Sequence, residues 1–257
     1  MGKFDGILLC ADFDGTIRFD GINPKNNEAI DYFIENGGMF TMITGRGGDA
    51  ELTSDIMSVR TNVPGCTMIG AQTFDFEKGE ILDAKFLPAD SADMVRRISD
   101  HIGAIRVIKL YCMDHDVLFS NADEKEFEDG LAQIDDKVCK IVIVLGYKYT
   151  PELFAEIEEI CGDGFNVCSN GADYFEITAA GISKGNAALK LKEKYGAKLL
   201  VCAGDSNGDI SMIKAADIGY AVDNAIDDLK SAADRITVHA KDGALAAIVK
   251  DLENGTV

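Results

Sequence analysis

Residues 6–16 read GILLCADFDGT, a continuous apolar run that stops at an Asp-x-Asp pair followed by Gly-Thr. A short apolar run of this kind is typical of a strand that is buried on both faces, as in a parallel sheet. A helical pattern follows over residues 24–35, and a second apolar run covers residues 39–43. A further helix and a third run, around residues 67–69, continue the alternation. This order of strands and helices favours a parallel sheet with crossover helices.

The pattern changes in the middle of the chain, where the apolar segments resemble paired, half-exposed strands. The predicted strands there cover residues 81–87, 105–112, 117–120 and 141–145, and the predicted helices cover 90–101, 123–134 and 151–161. Residues 77–80 are typical of a hairpin turn. The first pattern then returns, with helices over 183–195 and 243–252 and strands over 198–203, 218–222 and 236–239. The sequence therefore predicts a Rossmann-like α/β core formed by residues 1–76 and 182–257, with an α+β cap domain at 77–181 inserted into it.

The charge of the chain restricts its partners. The formal net charge is −19, from 44 acidic and 25 basic residues. Nucleic acids and anionic membranes both require a basic surface, so neither is expected as a partner. If the substrate is an anion, a metal ion and a few local cations must attract it.

The cysteines and the apolar segments indicate the compartment. The seven cysteines include no C-x-x-C pair, and most of them lie within apolar runs. We interpret them as small buried hydrophobic residues in a reducing environment rather than as disulfides or zinc ligands. The sequence shows no signal-peptide pattern and no apolar stretch of membrane-spanning length, so we expect a cytoplasmic protein.

Polar groups follow three of the predicted parallel strands. Residues 12–16 read DFDGT, residues 44–46 read TGR and residues 204–209 read GDSNGD. Ligands of open parallel sheets bind beyond the carboxyl ends of the strands, where these groups would meet. Carboxylates gathered there would repel one another, and a hard divalent cation relieves that repulsion. The sequence therefore predicts a magnesium site at this edge.

Each of these motifs also has an ordinary structural interpretation. An isolated Asp-x-Asp is often only a turn, Thr-Gly commonly ends a strand, and Asp205 could simply cap the next helix. The combination of all three at strand ends favours the functional interpretation.

Four motifs together resemble the haloacid dehalogenase-like hydrolase superfamily, in its Cof-type (class IIB) sugar-phosphatase branch. Residues 12–16 resemble the first family motif, 44–46 the second and 204–209 the fourth. Residues 181–187, GISKGNA, resemble the third, and Lys184 occupies the position of the family lysine. Order and spacing agree over essentially the full chain, and the insert between the second and third motifs is located where the family has its large α+β cap.

The resemblance implies a role for each matching residue. Asp12 would be the nucleophile that forms an aspartyl-phosphate, and Asp14 would be the general acid and base. Thr44 and the Gly45 N–H would hold the transferring phosphoryl group, and Lys184 would neutralise its charge. Magnesium would be held by Asp12, Asp205 and the carbonyl of Asp14.

Other residues near these motifs receive secondary roles or remain ambiguous. Asp209 would act in the second shell of the metal. Arg46 leaves two interpretations open, a phosphate contact and a solvated loop arginine. The fourth motif has Gly208 where the family usually has Asn, and Asn207 would compensate from one position earlier.

A second departure from the family concerns the segment after the third run. The family often has Asn-Gly-Ala there, whereas this chain has Ile69-Gly70-Ala71. The sequence Asn170-Gly171-Ala172 occurs later, within the insert, and is not its equivalent.

The expected function is a magnesium-dependent phosphatase acting on small phosphorylated metabolites, with the cap selecting the leaving group. Residues 45–50, GRGGDA, also fit the G-x-G-x-x-A pattern of nicotinamide-dependent oxidoreductases, but they follow the second strand and leave Asp12 and Asp205 unexplained. A phosphosugar mutase of the same superfamily and a non-enzymatic phosphoaspartate switch or binding protein also compete with the phosphatase interpretation. The presence of Asp14 argues against a switch, because it would hasten hydrolysis of the acyl phosphate. The substrate and the oligomeric state do not follow from the sequence.

Overall fold

The structure is a computed structural model that describes residues 2–47, 51–113, 115–134, 137–169 and 173–255. The strands of the described residues are β1 (Ile7–Ala11), β2 (Met39–Met42), β3 (Gly65–Thr67), β4 (Gln72–Asp75), β5 (Glu80–Ala84), β6 (Val107–Cys112), β7 (Asp116–Phe119), β8 (Val138–Val144), β9 (Phe165–Cys168), β10 (Tyr174–Ala179), β11 (Leu199–Gly204), β12 (Ile218–Ala221) and β13 (Arg235–Ile236). The α-helices of the described residues are α1 (Pro24–Glu35), α2 (Ser54–Met57), α3 (Ser91–Ile102), α4 (Glu124–Leu131), α5 (Pro151–Cys161), α6 (Lys184–Tyr195), α7 (Ile210–Ala215), α8 (Asp227–Ala232) and α9 (Ala244–Glu253).

The chain divides into two compact units. The first contains residues 1–83 and 183–257, and the second contains residues 84–182. The sequence places these junctions after residues 76 and 181. The first junction lies later because β5 extends the sheet of β3 and β4 and so continues the first unit.

The first unit is built on a parallel sheet with the strand order β13-β12-β11-β1-β2. Every paired neighbour in it runs parallel, which confirms the predicted α/β fold class. Residues 8–11 of β1 are fully buried, as expected for a central strand that is covered on both faces. Helix α1 packs against α9, and α6 packs against α7. The apolar stripe of α1, including Ile30 and Phe33, contributes to the same hydrophobic core.

The third predicted strand, around residues 67–69, forms slightly earlier, at residues 65–67, and lies beside the parallel sheet rather than among its five strands. Residues 65–67 form β3, which pairs antiparallel with β4 and is joined to the end of β2 by an isolated bridge from Ile43 to Cys66. Residues 68–70 form a 3-10 turn in which Ile69 has φ 62°. A β-branched residue rarely adopts this left-handed conformation, so the backbone is strained here.

The helix expected after residue 46 is short. Within the described part of this segment, only α2 is helical, and residues 48–50 lie outside the described residues.

The second unit contains an antiparallel sheet with the strand order β7-β6-β8-β10-β9. Its predicted helices all form, and α5 covers residues 151–161 as expected. Two of its strands, β9 and β10, were missed by the sequence analysis. One face of the sheet, with Ile108, Ile141 and Phe175, packs in a core that also includes Met94 of α3 and Ile157 of α5.

Candidate active site

Three neighbouring strands of the first unit end at the same edge of the sheet. Ala11, the last residue of β1, is paired with Met42 of β2 on one side and with Ala203 of β11 on the other. Asp12 therefore leaves the sheet between the segment that carries Thr44 and the segment that carries Asp205. The parallel topology places these three predicted site residues at one edge.

A buried lysine joins two of the acids at this edge. The Lys184 Nζ donates to Asp12 Oδ1 at 2.7 Å and to Asp209 Oδ1 at 2.6 Å. Lys184 is 3% exposed, Asp12 5% and Asp209 0%. Lys184 opens helix α6, whose N-cap is Ser183; the Ser183 Oγ accepts a hydrogen bond from the Asn186 backbone N–H. The helix start therefore fixes the position from which Lys184 reaches Asp12.

Asp209 shapes the loop that carries Asp205. Its Oδ2 accepts hydrogen bonds from the backbone N–H groups of Asp205 and Ser206 and from the Ser206 hydroxyl, each at 3.0 Å. Its Oδ1 accepts from Lys184, so both oxygens are engaged by donors of the chain. Asp209 thus couples the Asp205 loop to Lys184.

The Asp205 side chain lies directly against the loop of the first motif. Its Oδ1 accepts from the Thr16 hydroxyl at 3.2 Å. A Cβ at residue 15 would lie 2.2 Å from Asp205 Oδ2, and Gly15 has φ +81°. Both the close approach and the backbone conformation require glycine at this position. Asn224 fixes the same loop by donating to the Gly15 carbonyl at 2.8 Å.

The acids at this edge carry shifted pKa values. Burial, together with the charges of Asp209 and Asp205, raises the pKa of Asp12 well above its usual range. Burial and the charge of Asp209 raise the pKa of Asp205 to about 7. The pKa of Lys184 is raised because the attraction of Asp12 and Asp209 outweighs the effect of burial. Burial is the largest cause of the raised pKa of both acids, and the neighbouring carboxylates add to it.

The chemistry of this cluster suits a hard divalent cation. Asp12, Asp205 and Asp209 each offer one carboxylate oxygen, and these atoms lie within 4.8 Å of one another. Lys184 supplies one positive charge against three carboxylates. Oxygen ligands with uncompensated negative charge are those that Mg²⁺ binds, and such ions commonly use only one or two carboxylates. Since Asp209 is occupied by four chain donors, Asp12 and Asp205 are the better matched ligands of the three.

The Asp14 side chain lies outside the buried cluster that contains Asp12. Its side chain is exposed, and both of its oxygens accept from the guanidinium of Arg46, at 2.7 and 2.8 Å. Of the two interpretations left open for Arg46, the structure favours neither, since this side chain pairs with an acid. Arg46 and Asp14 follow adjacent strands, so the sequence brings them to one edge, but it does not specify that these two side chains pair.

The remaining predicted site residues are found at the same edge with fewer contacts. Thr44 is buried, and its hydroxyl accepts from the Arg46 backbone N–H at 3.1 Å. Gly45 follows it and is partly buried. Asn207 is exposed and begins the 3-10 turn that ends at Asp209, whereas Gly208 is buried in that turn.

Comparison with known proteins assigns the chain to a family. A family model described as haloacid dehalogenase-like hydrolase matches residues 9–249. The chain belongs to this family. The membership confirms the predicted resemblance and favours a hydrolase over an oxidoreductase; three residues of the oxidoreductase pattern, 48–50, lie outside the described residues.

Two relatives of this hydrolase support the same assignment, one over a short segment and one over most of the chain. It is 43% identical over 76 residues to a Bacillus subtilis protein named 5-amino-6-(5-phospho-D-ribitylamino)uracil phosphatase, which covers 28% of this chain and 30% of that protein. It is 24% identical over 243 residues to the HMP-PP phosphatase of Yersinia enterocolitica, which covers 87% of this chain and 86% of that protein. The first match therefore spans about a third of the relative's length.

The fold of the hydrolase also matches a solved structure. That protein is described as a subclass IIB sugar phosphatase of the same superfamily, with a TM-score of 0.78 and 20% identity over 97% of this chain and 99% of that one. The match confirms the predicted fold, including the insertion of an α+β domain into a Rossmann-like core.

Two further observations concern the predicted compartment. Six of the seven cysteines are buried, and the seventh, Cys168, is partly exposed. Among the described residues, the structure contains no helix that is both long enough and apolar enough to span a membrane. Residues 170–172, named above as unrelated to the segment after the third run, lie outside the described residues.

Proposed function

We propose that this hydrolase is a magnesium-dependent phosphatase that acts on small phosphorylated metabolites through an aspartyl-phosphate on Asp12. The observation that carries the proposal is the contact of Lys184 with Asp12, with the Asp205 carboxylate close by. The lysine orients this buried carboxylate at the strand end and would offset part of its repulsion toward an incoming phosphate. The phosphatase names of the relatives support the same activity.

Asp12 would act as the nucleophile. One of its oxygens is fixed by Lys184, and a carboxylate oxygen attacks phosphorus in line. A bond forms between Asp12 and phosphorus while the bond from phosphorus to the leaving oxygen breaks. Water then attacks the phosphorus of the acyl phosphate, the bond to Asp12 breaks, and inorganic phosphate leaves.

Asp14 would transfer the protons of both steps. It gives a proton to the leaving oxygen in the first step and takes one from the attacking water in the second. The proton count therefore balances over one turnover. Asp14 lies two residues beyond Asp12 and outside the buried cluster, where water and a leaving group have access.

The phosphoryl oxygens would be bound by Thr44, the Gly45 N–H and Lys184. Lys184 neutralises charge that develops on these oxygens in the transition state. Asp12, Asp205 and the Asp14 carbonyl would hold a magnesium ion, which would supply further positive charge to offset that of the phosphate oxygens. Asp209 would support the metal site without contacting the ion, since it fixes both Lys184 and the Asp205 loop. The same supporting role for Asn207 remains a prediction.

We also propose that the second unit, residues 84–182, serves as the cap that selects the leaving group. It is inserted between the second and third motifs of the first unit, as the family resemblance implies. The relatives named 5-amino-6-(5-phospho-D-ribitylamino)uracil phosphatase and HMP-PP phosphatase support small polar metabolites as substrates.

A phosphate-release screen over phosphorylated sugars and cofactors tests the proposal. We expect turnover of at least one compound with Mg²⁺, loss of turnover with EDTA, and restoration by added Mg²⁺. Asp12→Asn should reduce turnover by about 10³-fold or more while the protein remains folded. Retained activity in Asp12→Asn would remove Asp12 as the nucleophile, and isomerisation of a sugar phosphate without phosphate release would indicate a mutase.

A further inference from the structure

The side chain of Asp14 is held by a two-pronged contact with Arg46. The Arg46 Nε donates to Asp14 Oδ2 at 2.7 Å, and the Arg46 Nη2 donates to Asp14 Oδ1 at 2.8 Å. Two parallel bonds between a planar guanidinium and a carboxylate fix the plane of the carboxylate as well as its position. Asp14, a short side chain that is 46% exposed, would otherwise rotate freely.

Arg46 is itself held in place by the first unit. Its Nη1 donates to the Glu51 carbonyl at 3.0 Å and to the Thr53 hydroxyl at 2.9 Å. The guanidinium also lies over the ring of Phe13, 4.8 Å from the ring centroid, in a cation–π contact. The Arg46 side chain is only 19% exposed, so in this pair the arginine is the anchored partner and Asp14 is the oriented one.

The donor count argues against a phosphate-binding role for Arg46. A guanidinium has five N–H donors in all. Four hydrogen bonds already join Arg46 to Asp14, Glu51 and Thr53. Binding a phosphate in the usual two-pronged way would require this arginine to abandon Asp14 or its anchor.

Arg18 provides a weaker contact to the same acid. Its Nη1 lies 3.4 Å from Asp14 Oδ1, and its Nε pairs with Asp55 at 2.8 Å. A single long contact restricts the rotation of Asp14 much less than the two bonds from Arg46. Arg46 therefore dominates the orientation of Asp14.

We infer that Arg46 is a positioning residue, which aims the Asp14 carboxyl at the leaving-group oxygen; this inference rests on the proposed function. Because the two bonds are separate, Asp14 can release one and keep the other while the released oxygen gives or takes a proton. Arg46 contributes to catalysis only through Asp14 and does not bind the phosphoryl group.

The leaving group of the substrate distinguishes this role from other roles. Proton donation matters most when the leaving oxygen is a basic alkoxide, as in a sugar or alkyl phosphate, and little when it is a stable phenolate. Loss of a residue that aims the proton donor must therefore be larger for an alkyl phosphate than for 4-nitrophenyl phosphate. Loss of a phosphate-binding residue affects both substrates equally.

The experiment measures kcat and KM for both substrates in four proteins: the wild type, Arg46→Met, Asp14→Asn and the double variant. We expect Arg46→Met to lower kcat for the alkyl phosphate by about 10–10²-fold, a fraction of the range for general acid catalysis, and to change the aryl phosphate several-fold at most. The double variant should be no slower than Asp14→Asn, since Arg46 has no role once Asp14 cannot transfer a proton.

Two further variants separate the role from folding and from charge. Arg46→Lys keeps the positive charge but cannot form the two-pronged contact, so it should retain most of the leaving-group-dependent loss. Arg60→Met removes an exposed arginine that pairs with Asp31, and it should match the wild type with both substrates. Thermal unfolding of each variant checks that the protein is folded.

Three outcomes overturn the inference. One is an equal loss for both substrates, and another is a rise in KM with unchanged kcat, which would indicate phosphate binding. The third is a double variant whose defect is the product of the two single defects, because Arg46 would then act independently of Asp14. If the wild type releases phosphate from neither of these substrates nor from any compound of the screen, the proposed function fails, and the role of Arg46 fails with it.

Discussion

Both units bury a lysine against carboxylates, but the charge balance differs. In the first unit, Lys184 bonds to Asp12 and Asp209, and the Asp205 carboxylate lies within 4.8 Å of both. In the second unit, Lys140 is 2% exposed and pairs with Glu176 at 2.9 Å. Among the described residues, one lysine therefore faces three acids at the edge of the parallel sheet, whereas in the antiparallel sheet the buried lysine is matched by a buried acid.

The difference separates a structural ion pair from a site that needs an additional cation. A buried pair of equal and opposite charges, with further contacts, can repay the cost of its desolvation. Lys140 has such a contact, since its Nζ lies 4.1 Å from the centre of the Tyr111 ring. The cluster around Lys184 keeps an excess of negative charge, which adds to burial in raising the pKa of Asp12 and of Asp205. A fold retains such a cost where function requires it.

The largest expected effect is on turnover. Lys184→Met removes a cation that contacts Asp12 directly. In the proposed mechanism, Asp12 would then lose its orientation as the nucleophile, and the transition state would lose a positive charge. We expect kcat to fall by about 10²–10³-fold, as when a single group that stabilises the transition state is removed. Steady-state phosphate release checks this, with Arg60→Met as the control. Turnover within a few-fold of the wild type would mean that Lys184 is structural.

The next effect is on stability, and it concerns the second unit. Lys140→Met leaves the Glu176 carboxylate buried without this partner, which typically costs about 3–5 kcal/mol of unfolding free energy. Denaturant unfolding measures the change. The pair would not be structural if Lys140→Met unfolded at the same denaturant concentration as the wild type.

Removing one acid should change the free energy of unfolding by a smaller amount, and with opposite signs in the two units. In metal-free protein, Asp205→Asn removes one repelling charge and should stabilise the fold by about 0.5–2 kcal/mol. Glu176→Gln removes the balancing charge of Lys140 and should destabilise it. Unfolding in EDTA compares the two variants. Destabilisation by both would contradict the assignment of excess negative charge to the cluster of the first unit.

The stability of the metal-free protein should also depend on pH through the raised pKa of Asp205. The pKa of Asp205 is about 7 in the folded protein, above the ordinary value of 3.8 that applies when the chain is unfolded. Below pH 3.8 the Asp205 carboxyl is protonated in both the folded and the unfolded protein. Between pH 3.8 and about 7 the unfolded chain has released this proton, whereas the folded protein still holds it. The contribution of Asp205 to stability is therefore fully present at low pH and is lost as pH rises toward about 7.

Thermal unfolding of metal-free protein between pH 4 and pH 8 tests this prediction. The wild type should lose more stability over this range than Asp205→Asn, because the variant has no proton to release. Identical profiles for the two proteins would argue against a raised pKa of Asp205.

Much of the first unit could be predicted from local sequence. The continuous apolar run before Asp12 and the similar run before Asp205 indicate buried parallel strands, and the ends of such strands meet at one edge. The position of Lys184 followed from the family resemblance alone. Its contacts with Asp12 and Asp209 join residues 172 and 25 positions apart in sequence, so no local pattern encodes them.

The missed features depend on contacts between distant segments. Ile69 ends an apolar run that looks like a strand, but its turn is set by tertiary bonds, including the one from its N–H to the Thr44 carbonyl at 3.0 Å. Strand β9 has only four residues, one of them Asn166, which gives a weak periodic signal. Strand β10 has a clearer alternation, in Tyr174–Ala179, that could have been recognised. The pairing of Arg46 with Asp14 is a choice of side-chain partner, which the motifs do not specify.

Binding of Mg²⁺ to the metal-free protein, measured by titration calorimetry, tests most directly whether the excess acids at the sheet edge hold a cation. The account predicts one binding site in the wild type, a large loss of affinity in Asp205→Asn, and unchanged binding in Glu176→Gln. Absence of binding in the wild type, or equal binding in Asp205→Asn, would contradict it.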